Sequence, residues 1–399
     1  MAPASSRRYF DWAAAAPPER HGSPEEYSLG NPSSLHAEGR AARTALEEAR
    51  ARCARVLGVK AEELFFTSGG TESNAIVLFS LLSRIRSRRG AELLYSAVEH
   101  PSVGENAAVL SRLGIACTAI PVEKDGRVSM ETLKRTLVKN PAPRMAAIMA
   151  VNNETGAIND IKALGAVLGE GTKTREERDG APETPLVFLH CDVVQAAGKI
   201  PLDLPGGGAD SASLSAHKIG GSRGIGLLWL KRPLFPLIRG GGQEGGIRPG
   251  TENTAGALAL AEALESRLGS SLAGAREEAA ARMKALMGAL RGTGRFLPIP
   301  ADREDDDPRF SPWILQGAFM NGEEKIIPGE LLVRALDERG FALSTGSACS
   351  RGNKKRSVLE AMGAGAAALG GIRISQGWST TMEDMETLAE AIGELCRTL

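Results

Sequence analysis

Ala209-Asp210-Ser211-Ala212-Ser213-Leu214-Ser215-Ala216-His217-Lys218 brings a lysine to the end of an apparent buried strand, and Gly224-Ile225-Gly226-Leu227-Leu228-Trp229-Leu230 resumes a strand after a Gly-rich turn. A lysine held between two such runs is poorly placed for solvation, and burial lowers its pKa toward the free amine. The free amine is the state that forms a Schiff base with an aldehyde. The plain alternative is a loop lysine in water. Three other segments weigh against it.

Glu63-Leu64-Phe65-Phe66-Thr67-Ser68 reads as a strand, and Gly69-Gly70-Thr71-Glu72-Ser73-Asn74 then opens an apolar helical run from Ala75 to Ile85. A glycine turn entering a helix offers free N–H groups and the positive end of the dipole, which suits a phosphate, and Thr71 adds a hydroxyl. Such a turn is common in α/β proteins and is weak evidence alone. Pro185-Leu186-Val187-Phe188-Leu189-His190-Cys191-Asp192 is a second buried run that ends on a carboxylate, with Gln195 three residues on. An acid at the C-terminal end of a parallel strand lies where open α/β sheets bind ligands. There Asp192 can keep a pyridine nitrogen protonated, or it can be only a helix N-cap. Leu93-Leu94-Tyr95-Ser96-Ala97-Val98-Glu99-His100-Pro101 ends on an imidazole, suited to stacking, proton relay or simple capping. Ala146-Ala147-Ile148-Met149-Ala150-Val151 delivers Asn152-Asn153-Glu154 at another strand end. Several strands thus place polar groups at one edge, and their agreement carries more than any one of them.

The 399 residues are too many for one small domain, so two are expected. Hydrophobic residues make up 42%, and 48 Lys+Arg balance 48 Asp+Glu. That indicates a soluble globular protein with no polyanion partner, hence no direct nucleic-acid binding. No apolar run reaches membrane length, and Met-Ala-Pro-Ala-Ser-Ser-Arg-Arg has no apolar signal core, so no membrane association is expected and a cytoplasmic location is. Cys53, Cys117, Cys191, Cys349 and Cys396 show no CxxC pairing, so neither a metal site nor a disulfide framework is expected. Four of them read as small hydrophobes in helix-like or strand-like runs. Cys349 differs: it follows Ser344-Thr345-Gly346-Ser347-Ala348, and basic residues come soon after, conditions that favour thiolate.

Strand-like and helix-like runs alternate from about residue 35 to 265, the mark of a mostly parallel sheet covered by helices. Leu272 to Leu290 predicts a long helix, Gly329 to Arg339 another with Pro328 suited to its start, and a last helix begins at Met382. The expected architecture is α/β: a large domain at 16–268, and a smaller α+β domain from 1–15 and 269–399 that carries the Cys349 loop. The charged run Asp302 to Asp307 predicts a solvated loop.

Taken in order, these pieces resemble the cysteine desulfurases, pyridoxal-phosphate enzymes of the aminotransferase class V group. The resemblance is carried by Tyr9-Phe10-Asp11, Gly30-Asn31-Pro32-Ser33, Thr67-Ser68-Gly69-Gly70-Thr71-Glu72-Ser73, Glu99-His100 and Val151-Asn152-Asn153-Glu154-Thr155-Gly156. It continues through Asp192-Val193-Val194-Gln195, Ser215-Ala216-His217-Lys218, Arg248-Pro249-Gly250-Thr251, Ser347-Ala348-Cys349 and Ile372-Arg373-Ile374-Ser375. The resemblance implies the fold type I of pyridoxal-phosphate transferases and pyridoxal 5'-phosphate as cofactor. It implies Lys218 as the Schiff-base lysine, His100 stacked on the ring as a catalytic residue, Asp192 on the ring nitrogen and Gln195 on the phenolic oxygen. Gly70, Thr71, Ser215 and His217 would hold the phosphate, with Thr251 reaching it from a neighbouring subunit, so a homodimer is implied. Asn153 and Arg373 would bind the carboxylate of L-cysteine, and Cys349 would take the sulfur as a persulfide, leaving L-alanine. A sulfur-acceptor protein is then the expected partner, an iron–sulfur scaffold among the candidates. A selenocysteine lyase or a class V aminotransferase on the same scaffold is the alternative, though an aminotransferase needs no nucleophilic thiol.

The chain departs from that pattern in three places. An extra polar stretch runs from Gly169 to Pro185, a basic one (Arg351, Lys354, Lys355, Arg356) follows Cys349, and Pro249 stands where serine is commoner.

Overall fold

The computed structural model describes residues 7–18, 30–83, 92–140, 143–179, 187–346 and 357–399. The chain opens on β1 (Arg8–Tyr9) and α1 (Ala37–Leu57) and then alternates. The run is β2 (Leu64–Thr67), α2 (Gly70–Ser83), β3 (Glu92–Ser96), α3 (Pro101–Arg112), β4 (Ala116–Ile120), α4 (Met130–Lys139), β5 (Met145–Ala147), α5 (Ile161–Asp179) and β6 (Phe188–Asp192). β7 (Ser211–Ser215), β8 (Gly226–Leu230), α6 (Thr254–Leu268) and α7 (Leu272–Gly292) follow. The remainder holds β9 (Phe296–Pro298), β10 (Ile314–Phe319), α8 (Gly329–Glu338), β11 (Phe341–Ala342), α9 (Ser357–Ala361), α10 (Ala367–Gly370), β12 (Ile372–Ser375) and α11 (Met382–Thr398).

Among the described residues β2 to β8 form one sheet in the order β2-β8-β7-β6-β5-β3-β4. β4, β3, β5, β6 and β7 run parallel, while β8 is antiparallel to both β7 and β2. The α/β architecture with a mostly parallel sheet is therefore present. β6, β7 and β8 are buried along their whole length, as strands covered by helices on both faces must be. One face packs Leu189, Leu214 and Trp229 against α1, α5 and α6; the other packs Leu93, Phe188 and Leu228 against α2 and α3. The chain steps out from β3 to β4 and then back past β3 to β5. Such a reversal opens a crevice at the carboxyl ends of the strands.

A second core gathers Phe10, Met287, Phe319, Leu336, Ile374 and Ile392 from the N-terminal segment, α7, β10, α8, β12 and α11. β10 lies between β9 and β12, antiparallel to both, and β1 pairs in parallel with β11. Each large side chain buried here contributes about 1.5–3 kcal/mol. α11 starts on a reciprocal cap: Asp384 N–H donates to Thr381 Oγ1 at 3.1 Å, and Thr381 N–H donates to Asp384 Oδ2 at 2.9 Å. Among the described residues no helix is long and apolar enough to cross a membrane.

One departure gains a structure and one expectation changes. The polar stretch after Gly169 continues α5 as far as Asp179; residues 180–186 lie outside those described. The run from Asp302 to Asp307 is not simply a solvated loop. Asp302, Glu304 and Asp306 are exposed, but Arg303 is 3% exposed and donates to the carbonyls of Thr155 and Ile314 at 3.0 and 2.9 Å. Asp307 accepts from Arg309 Nη2 at 2.7 Å, and Asp305 pairs with Arg291 at 2.7 Å. A charge count sees only polarity; the burial of Arg303 follows from carbonyls that tertiary structure supplies.

Candidate active site

Asp192 ends β6 and Ser215 ends β7, adjacent parallel strands in the register His190↔Ser211 and Asp192↔Ser213. A short 3-10 turn, Ala216–Lys218, then carries Lys218 past the sheet edge. Lys218 Nζ donates to the carbonyls of Ala13 and Ala14 at 2.6 and 2.7 Å. Gln195 Nε2 donates to the same Ala13 carbonyl at 2.8 Å. A residue of the N-terminal segment thus joins two of the sequence-expected groups at one atom.

Asp192 is 8% exposed. Its Oδ1 accepts from Val194 N–H at 3.0 Å, a tight turn, and its Oδ2 accepts from Asn74 Nδ2 at 2.9 Å. His100 caps α3, with its Nδ1 accepting from Ser102 N–H at 3.1 Å. Burial lowers the His100 pKa, a pull that Asp192 opposes and Lys218 reinforces. The capping role therefore holds, and it leaves the proton on Nε2. Asp192 and Lys218 are both close enough to His100 to act on it electrostatically.

The cradle at the end of β2 is built by close packing. A Cβ on Gly70 would stand 2.7 Å from Val194 Cγ2, so only glycine lets α2 start against the turn after Asp192. Thr71 follows, exposed, at the helix N-terminus. Ser215 Oγ lies 2.8 Å from His217 Nδ1, and burial, with the Lys218 charge nearby, brings the His217 pKa down to about 4. Glu72 would oppose an anion here, but Arg248 Nε meets it at 3.3 Å. Thr251 is exposed beyond that pair.

On the other side, Arg373 of β12 is 2% exposed. Its Nη1 donates to the carbonyls of Asn153 and Gly346, and its Nη2 to Asp11 Oδ1 at 2.7 Å. Asn153 meets it through its backbone. Gly346 has φ +111, and a Cβ there would come within 2.9 Å of Glu154 Oε2; the last described residue before Cys349 is thus fixed to Arg373. Cys349 itself and the basic stretch after it lie outside the described residues.

Sequence reasoning missed Asn74, Ser102, His190 and Lys199. Lys199 is 2% exposed, and its Nζ donates to Gln195 Oε1 at 2.6 Å. His190 was legible in principle: polar residues at 190 and 192, and at 211, 213 and 215, alternate within otherwise apolar strands and so share a face.

The donor set fits a phosphorylated pyridine aldehyde: a helix N-terminus with two hydroxyls and an imidazole, a buried carboxylate, an amide and an amine, all at one edge. The aminotransferase class-V family model matches residues 9–388. The chain is 38% identical over 370 residues to a cysteine desulfurase of Cereibacter sphaeroides, covering 91% of this chain and 88% of the relative. It is 34% identical over 419 residues to the cysteine desulfurase IscS of Dictyoglomus turgidum, covering 98% and 95%. Among solved structures, a NifS-like protein superposes with a TM-score of 0.84 at 31% identity, covering 98% of this chain and all of that one.

Proposed function

This chain belongs to the aminotransferase class-V family, and from that premise we propose how it works as a pyridoxal-phosphate-dependent cysteine desulfurase. The carrying observation is the convergence of Lys218 and Gln195 on the Ala13 carbonyl, beside Asp192 on the neighbouring strand.

In this reading Gly70, Thr71, Ser215 and His217 would hold the phosphate, Asp192 would pair with the ring nitrogen and Gln195 with the phenolic oxygen, and His100 would face the ring. Pyridoxal 5'-phosphate, when bound, supplies an aldehyde for amine condensation and a ring that draws electron density from the substrate. Lys218 would hold the cofactor through its Nζ, and the same amine, once free, is placed to take the Cα proton of L-cysteine. Arg373, with Asn153, orients the substrate carboxylate. Cys349 thiolate then attacks the substrate sulfur: an S–S bond forms, the Cβ–S bond breaks, and its electron pair returns to carbon. Protonation at Cβ, with return of the Cα proton from Lys218, completes L-alanine, and Cys349 keeps the sulfur as a persulfide. The sulfur then passes to an acceptor protein, an iron–sulfur scaffold being one class that fits.

The two cores support a large cofactor-binding domain at 16–268 and a small domain from 1–15 and 269–399. The exposure of Thr251, and of Phe235, Leu237 and Ile238 just before it, supports a homodimer in which Thr251 reaches the partner's phosphate. A cytoplasmic location completes the reading.

The test treats the holoenzyme with L-cysteine and follows alanine release and protein mass. One added sulfur on Cys349, with Cys349→Ser binding cofactor yet releasing no alanine, is the expected result. Sulfur on Cys53, Cys117, Cys191 or Cys396, or full turnover by the serine variant, overturns the persulfide step.

A further inference from the structure

Beneath the site runs a chain of buried polar groups to which the mechanism above assigns nothing. Asn74 is 0% exposed on α2, and His190 is 0% exposed on β6, two residues before Asp192. Asn74 Nδ2 donates to Asp192 Oδ2 at 2.9 Å and to Ser102 Oγ at 2.8 Å. Asn74 Oδ1 lies 2.8 Å from His190 Nε2, and His190 Nδ1 lies 2.7 Å from Ser211 Oγ. Ser213 Oγ, at 3.2 Å from Nε2, completes the surroundings of the imidazole.

The directions of these bonds follow from which groups can donate. An ionised carboxylate only accepts, so Asn74 must turn its NH₂ to Asp192 and its oxygen to His190. That oxygen needs a hydrogen, so His190 carries its proton on Nε2 and its Nδ1 accepts from the Ser211 hydroxyl. Rotating the amide by half a turn would set its oxygen against the Asp192 carboxylate and would require the other imidazole tautomer. The two settings are coupled, and one is strongly disfavoured. His190 is also unable to become charged in ordinary conditions, because burial brings its pKa down to about 3. With Oδ1 held by Val194 N–H, both oxygens of Asp192 are fixed from the protein side.

We infer that Asn74 and His190 are positioning residues for the desulfurase reaction. The His190 Nε2–H locks the amide of Asn74, and that amide locks the carboxylate of Asp192 in place for the cofactor's ring nitrogen. The inference rests on the assignment of Asp192 to that nitrogen. A preorganised group works without reorganising during the reaction, and a side chain stays in place only if its supports are themselves locked. Glu99, His100 and Cys191 feel the Asp192 charge, and Lys218 acts on His100 from the same edge.

The test compares Asn74→Leu, His190→Gln and His190→Leu in the holoenzyme. Leucine keeps the volume and removes the polar functions, whereas glutamine keeps an N–H donor in the region of Nε2. The readouts are kcat and KM for cysteine, the pH midpoint of the cofactor's visible band, and ¹⁵N NMR of histidine-labelled apoprotein. The chain has five histidines, few enough for His190 to be assigned by its loss in the variants. Asn74→Leu and His190→Leu should lower kcat by about 10- to 100-fold, the range for losing a hydrogen bond to a charged group, leave KM within twofold and shift the band's midpoint. His190→Gln should stay within a few-fold of wild type, and the ¹⁵N shifts should place the His190 proton on Nε2. Equal loss in His190→Gln and His190→Leu, unchanged kcat and midpoint in Asn74→Leu, or a proton on Nδ1 overturns the inference. The NMR of wild type decides even if Asn74→Leu does not fold. Asp192→Asn is the separate control: if it leaves kcat unchanged, the assignment beneath the inference has failed rather than the relay.

Discussion

Arg373 Nη2 and Asp11 Oδ1 meet at 2.7 Å although 362 residues separate them in the chain. The pair joins β12 to the segment just after β1, the same segment whose Ala13 and Ala14 carbonyls hold Lys218. The lysine and the arginine are thus referred to one short piece of backbone, and the distance between them is set by residues 11 to 14.

Arg373→Lys should therefore weaken cysteine binding more than turnover. One ammonium cannot keep Asp11 and the Asn153 and Gly346 carbonyls while also presenting a planar fork. Loss of a charge-assisted bond predicts about a 10- to 100-fold rise in KM, with kcat within a few-fold. Steady-state kinetics over a range of cysteine concentrations checks this, and an unchanged KM removes Arg373 from the substrate site.

Asp192→Asn should bind cofactor yet slow the step at Cα, since a neutral amide does not hold the ring nitrogen protonated. Preorganised charge of this kind is commonly worth about 10²- to 10³-fold in kcat. A single-turnover measurement of Cα deprotonation isolates the step. Full rate with cofactor in place would reduce Asp192 to the turn-former that its bond to Val194 N–H already makes it.

Lys218→Ala should abolish turnover and the visible band that borohydride fixes in wild type. Mass spectrometry of the reduced wild-type protein should find the cofactor on Lys218. Lys199 is the informative competitor, because it is the other amine beside Gln195. A cofactor mapped to Lys199 would reassign the site.

The strand ends were legible because polar residues interrupt apolar runs there: Asp192, His100 and Lys218 all stand where a strand-like pattern stops. The sheet itself was legible from alternation. The supports were not. Ala13 acts through its carbonyl, which no side-chain pattern encodes, and Asn74 sits on an apolar helix where one amide looks incidental. Lys199 reads as a solvated lysine in Ala196-Ala197-Gly198-Lys199-Ile200-Pro201. Its burial is tertiary: Trp313 donates to the Lys199 carbonyl from a loop 114 residues away, and the Lys199 amine reaches Gln195.

Lys199 gives a stability prediction whose sign can be worked out. Burial first, then the Lys218 and Arg373 charges, brings its pKa from 10.5 down to about 7 in the folded chain. Between about pH 7 and 10.5 the unfolded chain holds a proton on this lysine that the folded chain has released. Stability must then rise with pH across that window, by up to about 1.4 kcal/mol per unit from this group alone. Below pH 7 both states are protonated, and the buried charge exerts its full destabilising effect. Lys199→Met keeps the stem and removes the titration, so the difference in unfolding free energy, wild type minus variant, should climb from pH 7 through 8 to 9. Denaturant unfolding at those three values, with cofactor concentration held fixed, measures it. Subtracting the variant cancels the other groups that titrate in this range. Parallel pH profiles for the two proteins would mean that Lys199 keeps its proton when folded, and that a third cation stands beside Lys218 and Arg373.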